Sequence, residues 1–94
     1  MRLLSLADEP APAPLAVALV REYLVARERE GWFIDFDGER FGPYISEREA
    51  MLFAVDAAQR LGAKGEDTEV CRLDEHGDAQ LRWSYGLDPY PPRL

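Results

Sequence analysis

The chain has 94 residues, 47% of them hydrophobic, which is the size of one small domain and leaves no room for a second core. Its formal net charge of −7, from 11 Lys and Arg against 18 Asp and Glu, repels phosphate backbones and anionic lipid heads, so nucleic acid and membrane surfaces are excluded as natural partners. A single cysteine, Cys71, rules out an internal disulfide and suits a reducing compartment.

At the amino end, Asp8-Glu9-Pro10 interrupts the short apolar run before it reaches the length of an export signal, and no stretch approaches the roughly 18 apolar residues of a membrane span. A cytoplasmic chain is expected. Residues 8–14 read D-E-P-A-P-A-P, whose prolines remove amide donors and bias the backbone to polyproline II, so residues 1–14 are expected to form a flexible tail. Residues 15–20 are uniformly apolar and fit a helix start or a strand equally well.

Residues 23–29 alternate imperfectly and lead through Glu30-Gly31 into Trp32-Phe33-Ile34-Asp35-Phe36, an aromatic and β-branched run of period two. Asp37-Gly38 is the pair preferred in a two-residue type I′ turn. That turn sets Phe36 opposite Glu39, Asp35 opposite Arg40 and Ile34 opposite Phe41, with Trp32, Ile34, Phe36 and Phe41 on one face and the Asp35–Arg40 pair on the other. Gly42-Pro43 is expected to stop the third strand, because proline cannot donate to a ladder.

Ser46-Glu47-Arg48-Glu49 is a capping box, so a helix is expected over 46–61. Ala50, Phe53, Ala54, Ala57 and Leu61 mark its buried stripe, widened by Met51, Val55 and Ala58; Arg48, Leu52, Asp56 and Gln59 face outward, and Gly62 suits a left-handed cap. Residues 68–73 and 79–85 read as a second hairpin around the polar loop 74–78, with Leu81, Trp83 and Tyr85 on one face and Gln80, Arg82 and Ser84 on the other. The expected fold is α+β: a small antiparallel sheet with strands near 23–29, 32–36, 39–42, 68–73 and 79–85, and the one helix packed on one face of it. Residues 15–87 form that single domain, and 88–94, D-P-Y-P-P-R-L, an extended Pro-rich end.

Two strings are unusual. Phe41-Gly42-Pro43-Tyr44 before the capped Ala-rich helix, and W-x-Y-G-x-D-P-Y-P-P over 83–92, resemble a group of short bacterial proteins of unknown function that share an F-G-P-Y turn and that tail motif; the resemblance covers roughly residues 23–92. A second small uncharacterised family, in which a Trp-containing hairpin precedes an Ala-rich helix, is similar more weakly. The resemblance implies a strand rather than a helix at 23–29 and a bacterial origin, and it carries no activity and no catalytic residue.

No catalytic set is expected. His76, the single histidine, sits in an acidic loop that lacks the ligand spacing of a zinc or calcium site, so no metal and no cofactor are expected. Ser46 serves as a cap, Cys71 as a small strand residue and Ser84 as an exposed one, while Asp35 and Asp37 have an ion-pair and a turn role. One helix covers one sheet face only, so Phe33 on the far face of its strand is left exposed, or residues 15–20 or the Pro-rich tail lie there instead. The leading expectation is therefore a non-catalytic protein-interaction or self-association module, acting through the uncovered face or an open strand edge. The alternative is a small-molecule groove bounded by 41–44 and 83–90, with Phe41, Tyr44, Arg82, Trp83, Tyr85, Asp88 and Tyr90 as binding residues. For the D-P-Y-P-P end, packing on its own domain and serving as a polyproline II ligand are both open.

Overall fold

The structure, a computed structural model, describes residues 19–94; the Pro-rich tail and most of the 15–20 run lie outside the described residues. The chain runs β1 (Val20–Glu28), β2 (Gly31–Phe36), β3 (Glu39–Tyr44), α1 (Glu47–Gly62), β4 (Asp67–Leu73) and β5 (Ala79–Ser84). The strands form one sheet in the order β3-β2-β1-β4-β5. The first turn is as the residue pair demands: Asp37 and Gly38 both take positive φ, 52° and 82°. The β2–β3 register follows, with Ile34 beside Phe41, Asp35 beside Arg40 and Phe36 beside Glu39.

The sheet is mixed rather than antiparallel, because β1 and β4 pair in parallel. Two hairpin reversals leave β3 running in the direction of β1, and α1 then returns the chain to the end from which β3 began. The next strand must therefore run parallel to both, and it adds beside β1. Strand β1 also starts three residues earlier than the alternation indicated, at Val20, since the parallel partner extends its ladder back to Asp67. Strand β3 does not stop at Pro43. It runs to Tyr44 through a one-residue irregularity between the Ile34–Phe41 and Trp32–Tyr44 pairs, which an edge strand tolerates without the missing donor.

Helix α1 is capped as expected at Ser46, whose hydroxyl accepts from the Glu49 amide at 3.0 Å; the Glu49 carboxylate reaches one residue further back, accepting from the Ile45 amide at 2.9 Å. Its buried stripe is Ala50, Met51, Ala54, Val55, Ala58 and Gly62. Phe53 is not part of it but stands 54% exposed, because α1 lies over β1 and β4 and Phe53 faces sideways toward β2 and β3. Val55 meets Val25 and Val70 in the centre of the core, where burying each valine stabilises the fold by about 2 kcal/mol. The buried Thr68 hydroxyl donates to the Ala58 carbonyl at 2.8 Å and pins β4 to the helix.

The second hairpin departs from simple alternation. Cys71 pairs with Leu81 and Val70 with Trp83, so one extra residue of β5 is absorbed between them. Trp83 is thereby turned under the helix, 2% exposed, while Leu81 stays on the opposite face at 56%, and the two do not share a face. Arg82 moves to the helix side, 3.9 Å from Glu47, and Ser84 is buried rather than exposed.

Gly62 is helical and does not take the left-handed cap; Gly65 supplies the positive φ, 106°, after the helix. What requires glycine at 62 is the ring of Tyr85, which occupies the space where a Cβ would stand. Replacing Gly62 by Ala is expected to lower stability by about 2 kcal/mol through overpacking, against the gain of about 1 kcal/mol that helix propensity alone gives. Urea unfolding decides between the two signs, and a stabilised variant would mean that Tyr85 is not seated there.

Candidate functional site

The residues expected to form one groove are split between opposite edges of the sheet, Phe41 and Tyr44 on β3, Arg82 and Trp83 on β5. Arg82, Trp83, Tyr85, Asp88 and Tyr90 do line one open groove of about 820 Å³ between α1 and the chain end. The polar groups of Trp83, Asp88 and Tyr90, however, are turned onto the chain itself. The Trp83 indole N–H donates to the Pro89 carbonyl at 2.9 Å, and the Asp88 carboxylate accepts from the Ser84 amide at 2.8 Å. The Tyr90 hydroxyl donates to the Asp56 carboxylate of α1 at 2.6 Å, and an Arg48 guanidinium N–H donates to the Leu94 carbonyl at 3.4 Å. The W-x-Y-G-x-D-P-Y motif thus clasps the chain end to the helix. Trp83, Asp88, Pro89 and Tyr90 of the string each have a partner within the chain.

On the other flank of α1, Phe41 and Tyr44 join Tyr23, Phe36 and Phe53 around an apolar groove of about 270 Å³. Tyr44 stacks on Phe53 with centroids 5.2 Å apart, and Tyr23 on Phe36 at 3.9 Å. Phe41 is 42% exposed at the rim. The nearby cations are engaged: Arg60 lies 2.7 Å from Asp56, and Arg21 lies over the Phe36 ring and 3.4 Å from Asp37. Burial holds the Tyr23 hydroxyl above its ordinary pKa despite Arg21 and Arg60, so it remains a neutral donor.

The third surface is the sheet face opposite α1. Since Val25 and Val70 point under the helix, strand alternation puts Glu22, Leu24 and Ala26 of β1 and Asp67, Glu69, Cys71 and Leu73 of β4 on the other side. Leu24 lies beside Cys71, Leu81 beside Cys71 from β5, and Phe33 beside Ala26 from β2. Toward β3, Arg40 forks onto Asp35 at 2.8 and 3.0 Å, reaches Glu28 at 3.4 Å and stacks over the Phe33 ring at 4.8 Å. That ion pair holds the Asp35 carboxyl below its usual range. No second helix or sheet covers this face among the described residues.

One feature of that face was not foreseen. The parallel register sets Glu22 directly beside Glu69, with Cys71 next to them, and their donor atoms lie within 4.8 Å of one another. Neither carboxylate has a cationic partner among the described residues. Burial and the two carboxylates push the Cys71 thiol up, so it stays protonated at neutral pH and is a poor third metal ligand. The three are far apart in sequence, and without the β1–β4 pairing nothing joins them. His76 lies in the β4–β5 loop, where the Asp74 carboxylate accepts from the His76 and Asp78 amides at 2.8 and 2.9 Å, an Asx turn.

Comparison with protein-family models, with curated proteins and with solved structures finds no match.

The clasp has a titration signature. The hydrogen bond to Asp56 raises the Tyr90 pKa first of all, with desolvation and the Asp56 charge adding. Because the folded pKa is the higher one, the contact stabilises fully below the ordinary tyrosine value near 10 and is lost as pH rises through the folded value. Ultraviolet titration of the phenolates is expected to show a late-ionising component, shared with Tyr23, whose amplitude Tyr90→Phe reduces; a loss of amplitude near the ordinary tyrosine value instead would place the Tyr90 hydroxyl in free solvent.

Proposed function

We propose that the chain is a non-catalytic, cytoplasmic interaction module that binds a protein or a second copy of itself through the sheet face opposite α1. One observation carries the reading: the single helix takes one face, and on the other Leu24 of β1 and Leu81 of the edge strand β5 flank the buried Cys71 of β4, with Leu81 56% exposed. An apolar centre rimmed by charged side chains is the anatomy of an interface. Two further features support it. The C-terminal motif is occupied internally, and the net charge of −7 disfavours nucleic acid. No helix of the described residues is long and apolar enough to cross a membrane.

A small-molecule reading is favoured by the aromatic groove at Phe41, Tyr44 and Phe53, whose exposed rings stand around about 270 Å³ of apolar space. The two readings separate by photo-crosslinking in source cells, with p-benzoylphenylalanine placed at Leu81, Phe53 or Leu52. Discrete protein adducts are expected from position 81 and none from position 52 on the outer side of α1. Adducts equal at 52 and 81 would overturn the module reading. No protein adduct at 81, with a small-molecule adduct at 53, would move the function to the groove.

A further inference from the structure

We infer that the partner taken by the sheet face opposite α1 is a basic amphipathic segment of another protein, with Lys or Arg over Glu22 and Glu69 and apolar side chains over Leu24 and Leu81. The inference rests on the interaction reading above and names the chemistry of its partner. Carboxylates directly opposite each other on neighbouring strands repel and destabilise a sheet. Glu22 and Glu69 stand so on β1 and β4, and Asp67 adds a third carboxylate at the same end of the face. Several charged side chains of the sheet are paired within the chain, Arg40 with Asp35 and Glu28, Arg21 with Asp37 and Glu66, and Arg72 with Glu47, whereas Arg27, Glu39 and Asp67 form no ion pair among the described residues. The Glu22–Glu69 pair is the one place where two carboxylates without an ion pair among the described residues stand directly beside each other on neighbouring strands, which makes it the point on this face where a cation from another molecule gains most.

Three occupants compete for that role. A metal ion is disfavoured because the third donor, Cys71, is held protonated. A second copy is disfavoured because the cation its own face carries, Arg40, is already forked onto Asp35 and Glu28. A basic segment meets both demands of the surface at once. Glu22 and Leu24 are two residues apart on β1, about 6.6 Å along the strand, close to the roughly 6 Å between positions i and i+4 of a helix. A Lys and a Leu one helical turn apart therefore reach the carboxylate pair and the apolar centre together, the opposite-charge and apolar complementarity by which amphipathic helices are recognised.

The test uses the full chain and fluorescence anisotropy with three labelled peptides: an amphipathic Lys/Leu helix former, the same Leu positions with Glu in place of Lys, and a scrambled Lys/Leu peptide without an apolar face. The first is expected to bind. Glu22→Gln with Glu69→Gln is expected to weaken it at least tenfold, and Leu81→Ser at least fivefold. Glu30→Gln with Glu39→Gln, an equal change of net charge at exposed positions in the β1–β2 turn and at the start of β3, is expected to change it less than twofold. Thermal melting separates binding from folding, since relieving the Glu22–Glu69 repulsion leaves the melting temperature unchanged or higher. Equal losses from the two double variants, or equal binding of the scrambled peptide, would reduce the effect to net charge and overturn the inference. So would saturable binding of Zn²⁺ alone that the Glu22→Gln/Glu69→Gln variant abolishes. Tighter binding of the Glu/Leu peptide, or a dimer in sedimentation, lost in either case with Leu81→Ser, keeps the face as a docking surface but refutes a basic partner. If Leu81→Ser alters neither peptide binding nor mass, the interaction reading itself fails.

Discussion

The parallel pairing of β1 with β4 is the constraint on which the rest of this molecule depends. It follows from chain parity: two tight reversals, one helical return, then a strand. That strand finds its place beside β1, making β1 the centre of the sheet and placing α1 across the β1–β4 junction. Every later feature inherits this. Val25 and Val70 meet beneath Val55 because they sit on neighbouring strands, and on the reverse side the same register brings Glu22, Glu69 and Cys71 together.

Placing the helix over β1 and β4 leaves its two flanks unequal. Toward β5, the extra residue in that strand rotates Trp83 inward, Tyr85 seats on Gly62, and the chain end returns through Pro89 and Tyr90 to Asp56. Asp56 holds both Tyr90 and Arg60, so it joins the clasp to the last turn of the helix. At the first turn, Glu47 lies 2.8 Å from Arg72 Nε and 3.9 Å from Arg82, ion pairs that fix the helix start over β4 and β5. Toward β3, nothing comparable closes the space, and Phe41, Tyr44 and Phe53 stay partly open as a short aromatic groove.

Local chemistry was legible in the residues and topology was not. Asp37-Gly38 announced its turn and register, and Ser46 with Glu49 announced the helix, because each signal is complete within a few residues. The parity of the two reversals and the helix also demanded a parallel strand, yet which strand received it depends on burial across the whole sheet. The bulge before Trp83 was invisible to alternation, since one inserted residue exchanges the faces of everything beyond it. Alternation alone puts Leu81 and Trp83 on one face and Ser84 outside, whereas Ser84 is buried. Gly62 looked like a cap because glycine after a helix usually is one; only the position of Tyr85 reveals its use.

The two faces of the sheet differ in kind. Polar groups on the helix side are mostly satisfied within the chain, down to the Trp83 indole and the Thr68 hydroxyl, which is what a face built for stability requires. The reverse side combines a buried thiol, leucines and, on its most central strands, a carboxylate pair that has no cationic partner among the described residues, where a purely structural surface is better served by alternating charge. A like-charge pair at that position weakens the isolated domain. It has a physical use once a cation from another molecule stands between the two carboxylates, and the repulsion then becomes a preference for one class of partner over all neutral or acidic ones.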